Sequence, residues 1–347
     1  MLFTPARHEP LGDVAWSEPR ARTGIDAIVA TTLAGIDEET GLWPLHPNDA
    51  EPGDDGPLRG LYCGAAGIIW ALDQLGVEHR FEVEPIAADD GFLDGRAGIL
   101  AVTDGDGLGE LVASFAGHPG LELLYGSPGM MVIAHHKGFD EEWRLLADDL
   151  LARRDEDGLW TQEFVPGHPD RYVGAAHGFA GNAFALAQGG RASDADAVAV
   201  ASRLAVVDGD LANWPASADQ PLELGDGIRT QWCHGAAGMV TALAGVEGDD
   251  AWDELLLAGG RTVWAAGPLH DRAGLCHGTA GNAYAFLKLF EHTGDEAWLD
   301  RARRFAMHAL GQVGDPWHSL YTGDLGVALC LRSCLEADAR FPLLDVL

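Results

Sequence analysis

Lysine is almost missing from this chain: Lys137 and Lys288 are the only two in 347 residues, set against twenty arginines. With 54 aspartates and glutamates the formal charge is −32. A surface of that sign has no basic patch to balance phosphate, which excludes nucleic acid as a partner. It suits a salt-rich cytoplasm, where cations screen self-repulsion. Long apolar runs are also lacking, so no membrane span is expected. Residues Met1 to Pro10 have no apolar core of the kind a signal peptide needs, and a cytoplasmic location is expected. Cysteines number five, an odd count scattered widely, which argues against a disulfide framework and for a reducing compartment. Alternating strand patterns are sparse. The 47% hydrophobic content is enough for a sizeable core.

What is abundant is glycine, and it is ordered. Seven Gly-x-x-Gly pairs each open an apolar stretch: Gly64–Gly67, Gly95–Gly98, Gly126–Gly129, Gly178–Gly181, Gly235–Gly238, Gly278–Gly281 and Gly323–Gly326. The stretches, such as Ile68 to Leu72 and Asn282 to Leu287, read as helices buried on most sides. Between them lie amphipathic segments, Asp140 to Arg153 and Trp298 to Leu310 among them, with apolar residues at helical spacing. Alternation of buried and amphipathic helices at intervals of 31 to 57 residues predicts helical hairpins. Seven hairpins closed in a ring make an all-α fold, an α/α toroid lined by the buried helices. The toroid is expected over residues 58–347, with residues 1–57 an N-terminal extension packing on it. The Asp/Pro/Gly-rich stretch Asn48 to Pro57 reads as loop. A monomer is expected.

In such a ring every glycine turn lies at the same end of its inner helix. The residue before each first glycine then faces a central mouth: Cys63, Asp94, Tyr125, His177, His234, His277 and Thr322. Four of these seven are His or Cys, a set ordinary turns do not collect. In two turns a cysteine comes one residue earlier, in Trp232-Cys233-His234-Gly235 and Leu275-Cys276-His277-Gly278. Cys233, Cys276 and His277 form a Cys2His donor set suited to Zn²⁺, with a fourth position left for substrate. His234 is either a fourth, closing ligand or a cavity-lining residue. A zinc-bound thiol loses its proton near neutral pH and remains nucleophilic, so activation of a substrate thiol fits at least as well as activation of water. His177 has no cysteine before it and is a candidate acid or base. Glu122, four residues before Gly126, is placed to orient a proton donor or a substrate group. Cys330 and Cys334, four apart on the last helix, read as core, and His135-His136 as surface residues at a helix end.

Two other readings fit the same residues. One is a peptide-binding module whose zinc is structural, closed by His234 or Cys63. The other is an α/α barrel that alkylates a zinc-bound thiol, as protein prenyltransferases do; aromatic residues at 8% make a poor lining for such a cavity.

At these motifs, and over nearly all of the chain from about residue 58, the sequence resembles the lanthionine synthetase C-like family. The matching segments include Trp232-Cys233-His234-Gly235, Leu275-Cys276-His277-Gly278-Thr279-Ala280-Gly281-Asn282 and Tyr172-Val173-Gly174-Ala175-Ala176-His177-Gly178. Phe92 to Gly98, Glu122 to Gly126 and Ala339-Arg340-Phe341-Pro342 match as well. The resemblance implies a toroid with one zinc on Cys233, Cys276 and His277, and a catalytic histidine at His177. It implies addition of a thiol to dehydroalanine or dehydrobutyrine in a peptide or protein. The thiol is an internal cysteine or a small thiol such as glutathione. In the peptide cyclases an aspartate stands where Glu122 stands here. Glu122 followed by Leu-Leu-Tyr-Gly is closer to free-standing eukaryotic relatives, which add glutathione.

Overall fold

A computed structural model describes residues 2–13, 15–50, 56–165, 167–191, 194–220, 222 and 228–347. Residues 51–55 of the expected Asn48 to Pro57 loop lie outside the described residues. In chain order the helices and strands are α1 (Glu18–Ala34), α2 (Ala65–Gln74), α3 (Arg96–Thr103), α4 (Leu108–Ala113), α5 (Ser127–Lys137), α6 (Asp140–Ala152), β1 (Gln162–Val165), β2 (His168–Asp170), α7 (Phe179–Gln188), α8 (Asp194–Leu204), β3 (Val206–Asp208), β4 (Leu211–Asn213), α9 (Ala236–Leu243), α10 (Asp250–Ala266), α11 (Thr279–Thr293), α12 (Glu296–Gln312) and α13 (Asp324–Glu336). The strands form two antiparallel hairpins, β1–β2 with Gln162 opposite Asp170 and β3–β4 with Val206 opposite Asn213. Among the described residues no helix is long and apolar enough to cross a membrane.

Seven helices form a closed inner ring. Each of α2, α3, α5, α7, α9, α11 and α13 packs on the next, and α13 returns to α2. The first glycine of each pair is the N-cap residue of its inner helix. The second glycine lies in the first turn, hard against a carbonyl oxygen of the incoming chain. A Cβ on Gly238 would overlap the Trp232 carbonyl, and one on Gly281 the Leu275 carbonyl. The repeat is therefore steric: only hydrogen fits where the turn folds back on its own helix. Inner helices are buried nearly all round, as α11 shows with every residue from Thr279 to Leu287 buried. Outer helices bury one stripe. In α6 that stripe is Trp143, Leu146, Ala147 and Leu150, the spacing expected of an amphipathic helix packed on one side.

The outer layer departs from seven full hairpins in one place. The helices α4, α6, α8, α10 and α12 follow their inner partners, but the segment from α2 to α3 has no helix. It carries Pro85 and several acids, and it packs on the core without a helix through Val83, Phe92 and Leu93, which are buried, and Phe81, whose ring meets Trp43 edge to face. The place beside α13 is taken from the other end of the chain, by α1, which packs on α13 and α12. Residues before 58 thus supply an outer helix.

The seven turns are tied into a collar by backbone hydrogen bonds. Leu61 and Tyr62 N–H donate to Leu93 O (2.7 and 2.8 Å), and Phe92 and Leu93 N–H to Leu124 O (2.9 and 3.1 Å). Leu123 N–H donates to Ala176 O (3.0 Å), and Cys233 N–H to Cys276 O (3.1 Å). Leu275 and Cys276 N–H donate to Tyr321 O (2.7 and 2.9 Å), and Tyr321 N–H to Tyr62 O (3.1 Å). Among the described residues one link of this kind is lacking, between the turns of α7 and α9. There Gly174 lies directly against the Cys233 carbonyl, with no room for a Cβ. At the opposite end the C-terminal segment fills the ring. Phe341 is fully buried and stacks on Trp232 with ring centroids 4.9 Å apart, and Tyr321 Oη donates to Pro342 O at 3.1 Å.

Candidate active site

The mouth of the ring collects the residues that precede the first glycines. Tyr125 Oη donates to Asp94 Oδ2 at 3.0 Å, and Cys63 Sγ lies 3.4 Å from Thr322 Oγ1. The rings of His177 and His234 are 5.7 Å apart, and Tyr172 lies about equally close to both, at 6.3 and 6.1 Å.

Because the turns of α9 and α11 are neighbours joined by the Cys233–Cys276 backbone bond, their side chains converge. The sulfurs of Cys233 and Cys276 and a ring nitrogen of His277 all lie within 4.8 Å of one another. Both cysteines are buried and His277 is half-buried. A shallow surface cleft lies over His277, walled by Arg272, Trp317, Tyr321 and Thr322. Neither His234 nor Cys63 joins the converging group. The turn of α9 differs from the other six in its first glycine: Gly235 has φ +93°, a conformation side-chain-bearing residues rarely adopt. That backbone, closed by reciprocal hydrogen bonds between Gln231 and His234, buries the His234 ring. Burial pushes its pKa down to about 4, so it is neutral, and its Nδ1 has no hydrogen-bond partner among the described residues.

Two thiols and an imidazole at this separation make a donor set that fits zinc, which on three protein ligands keeps a fourth position for an incoming group. The two sulfurs are electrostatically unequal. The hydrogen bond from Cys276 holds the Cys233 thiol well below the usual range despite burial, while burial pushes the Cys276 thiol well above it.

His177 and Glu122 meet across the turns of α7 and α5. His177 Nδ1 lies 3.0 Å from Glu122 Oε2, and the carboxylate also accepts from Leu124 N–H (3.0 Å) and Tyr125 N–H (2.6 Å). Glu122 is 1% exposed. Burial of the imidazole works against its charged form, but the hydrogen bond and charge of Glu122 prevail and the His177 pKa is raised. Gln162 on β1 fastens the two turns together: its Oε1 accepts from Leu121 N–H at 3.0 Å and its amide donates to the His177 carbonyl.

The other expected positions are unremarkable. Cys330 and Cys334 are fully buried in α13. His135 is exposed at the end of α5, and His136 Nε2 lies 2.8 Å from Leu344 O. Several residues at the site carried no sequence signal of metal or acid–base chemistry. Gln162 is one. Gln231, whose Nε2 donates to Cys233 Sγ at 2.9 Å, is another. Tyr62 differs from these two, because its register was there to be read. It holds the same place in its turn as the two cysteines, and its hydroxyl hydrogen-bonds Cys276.

Residues 54–346 match the family model described as Lanthionine synthetase C-like protein. The Glutathione S-transferase LANCL1 of Danio rerio is 35% identical over 251 residues, 65% of this chain and 62% of that protein. The LanC-like protein GCL1 of Arabidopsis thaliana is 31% identical over 194 residues, 50% of this chain and 43% of that protein. The matched regions thus span less than two thirds of either relative. The solved structure of nisin cyclase covers 91% of this chain and 94% of its own, with a TM-score of 0.59 at 15% identity, a likeness of fold.

Proposed function

This chain belongs to the lanthionine synthetase C-like family, and from that membership and the geometry of the mouth we propose that it adds a thiol, with zinc, to dehydroalanine or dehydrobutyrine residues of a peptide or protein. The observation that carries the reading is the pairing, in one mouth, of the Cys233–Cys276–His277 donor set with the Glu122–His177 acid–base pair. Zinc on those three ligands would keep a thiol ionised and nucleophilic near neutral pH. The remaining work falls to the chain's own groups. As sulfur bonds to the β-carbon, the carbon–carbon π pair moves to the α-carbon and onto the adjoining carbonyl. Protonated His177 delivers a proton from Nε2 to that α-carbon and is recharged from solvent. Glu122 holds the imidazole by Nδ1 and favours its charged form before the transfer. His234, neutral and buried, and Tyr172 wall the same space. The cleft over His277 is the approach for the thiol.

Both an internal cysteine, closing a thioether ring, and a small thiol such as glutathione suit this chemistry. The name of the zebrafish relative and the glutamate at position 122 favour the small thiol. The test is incubation of the purified protein, in high salt, with a dehydroalanine peptide with and without an internal cysteine, glutathione being present or absent. Products are read by mass. A glutathione adduct on both peptides supports the favoured form, ring closure alone supports cyclisation, and no thioether from either peptide would falsify the reading.

A further inference from the structure

The N-terminal arm runs across the segment that leads into Cys233, and every few residues it is tied down. Asn213 Nδ2 donates to Leu2 O at 2.7 Å, and Ile228 N–H to Thr4 Oγ1 at 2.7 Å. His8 is buried between Thr230 Oγ1 (2.7 Å) and Gly267 O (2.9 Å). Glu9 N–H donates to Pro268 O at 3.0 Å, and its carboxylate accepts from His308 and Gln312, each at 2.7 Å. Between these ties Arg7 Nη2 donates to Gln231 Oε1 at 3.0 Å.

That contact settles which way the Gln231 amide faces. A guanidinium is a donor only, so it must meet the amide oxygen, and the NH₂ group is then turned to the other side. On that side is Cys233 Sγ, 2.9 Å from Nε2. Gln231 is 5% exposed, so water does not compete for either end of the amide. The relay Arg7–Gln231–Cys233 joins a residue near the start of the chain to one of the two sulfurs of the donor set.

We propose that Gln231 is a positioning residue of the metal centre, that its amide holds Cys233 as a thiolate aimed at the metal, and that Arg7 acts through Gln231 by fixing the amide's orientation. The inference rests on the zinc reading above. A hydrogen bond to a thiolate ligand restrains its rotation and draws charge from the sulfur, as outer partners of metal ligands do generally. The N-terminal arm is on this account part of the site.

The full-length protein is loaded with Zn²⁺ for affinity, by chelator competition, and with Co²⁺ for the sulfur-to-metal charge-transfer band. Gln231→Leu is expected to lower Zn²⁺ affinity by roughly 10–100-fold and to shift the band. Arg7→Met is expected to move both in the same direction by less. The double variant should match Gln231→Leu, because on this proposal Arg7 acts through the amide. Thermal unfolding of the metal-free proteins separates a mere strap: lost apo-protein stability with affinity and band unchanged overturns the inference. Strictly additive losses overturn the role given to Arg7. A wild-type protein showing no charge-transfer band overturns the zinc reading itself, whereas a wild-type band that the variants leave in place overturns this inference alone.

Discussion

His177 Nδ1 lies 3.0 Å from Glu122 Oε2, a contact between two turns of the ring that are 55 residues apart. The carboxylate raises the histidine's pKa against the effect of burial. A general acid is active while protonated, so the rate falls as pH rises through that raised value. In Glu122→Gln the charge is gone, burial prevails and the pKa drops. The alkaline limb of the pH–rate profile is expected to move to lower pH, with zinc content unchanged. Linkage gives the same sign in stability. The pair's contribution is complete below the unfolded histidine value of about 6.5 and is lost as pH rises through the folded one. The melting temperatures of wild type and Glu122→Gln should therefore differ more at about pH 6 than at about pH 9. An unmoved alkaline limb would remove Glu122 from the proton transfer.

Metal and proton transfer separate by substitution. Cys276→Ala is expected to lose both bound zinc and thioether formation. His177→Ala should keep the metal and lose about 10²- to 10⁴-fold in rate. Metal content by elemental analysis and product by mass spectrometry distinguish the two, and a full rate in His177→Ala ends its assignment as the acid.

Gly281 has the Leu275 carbonyl where a Cβ would stand, and Leu275 adjoins Cys276. Gly281→Ala is expected to cost about 1–3 kcal/mol, as overpacking of a filled site does, and to weaken zinc binding with it. Gly311 in α12 has nothing within 4 Å of its Cβ direction. Gly311→Ala should stabilise the protein, by up to about 1 kcal/mol. Urea midpoints of the two variants decide the matter, and equal effects would show that the steric account of the repeat is wrong.

A formal charge of −32 makes the folded state repel itself. Raising salt from about 0.1 to about 1 M shortens the screening length from about 10 to about 3 Å. The melting temperature is expected to climb over that range. A flat or falling response in scanning calorimetry would show that the acids are already balanced by local pairing.

The ring was legible in the sequence because each repeat carries a glycine with a steric duty, and such duties leave fixed spacing. Gly67 and Gly326 stand in the same relation to their turns although the chain between them is most of the protein. The candidate donor set was legible for a related reason: cysteines at positions 233 and 276 share a register, and the fold brings them together with His277. Tyr62 occupies that register too, yet a tyrosine in a buried turn reads as core. The helix α1 gives no hint that its partner is α13, since a contact between chain ends has no periodicity. Gln231 and Arg7 are invisible for chemical reasons, because an amide and a guanidinium are commonplace until their orientation is seen. The irregular path from α2 to α3 shows the converse: an outer position can be filled without a helix, by apolar residues such as Phe81 and Val83 packed from an extended segment.

Closure of the ring by α13 on α2, with α1 laid over α13, has a consequence for how damage spreads. An open array of repeats frays from its ends and is protected by capping units. A circle has no ends, so no repeat can loosen without straining both neighbours around the circumference. The cost is paid in assembly, since the last joint brings together segments from opposite ends of the sequence, a slow search with a large loop to close. Once shut, the mouth is held from every side at once, and a chemical site shared among several turns keeps its geometry without any one turn being rigid by itself.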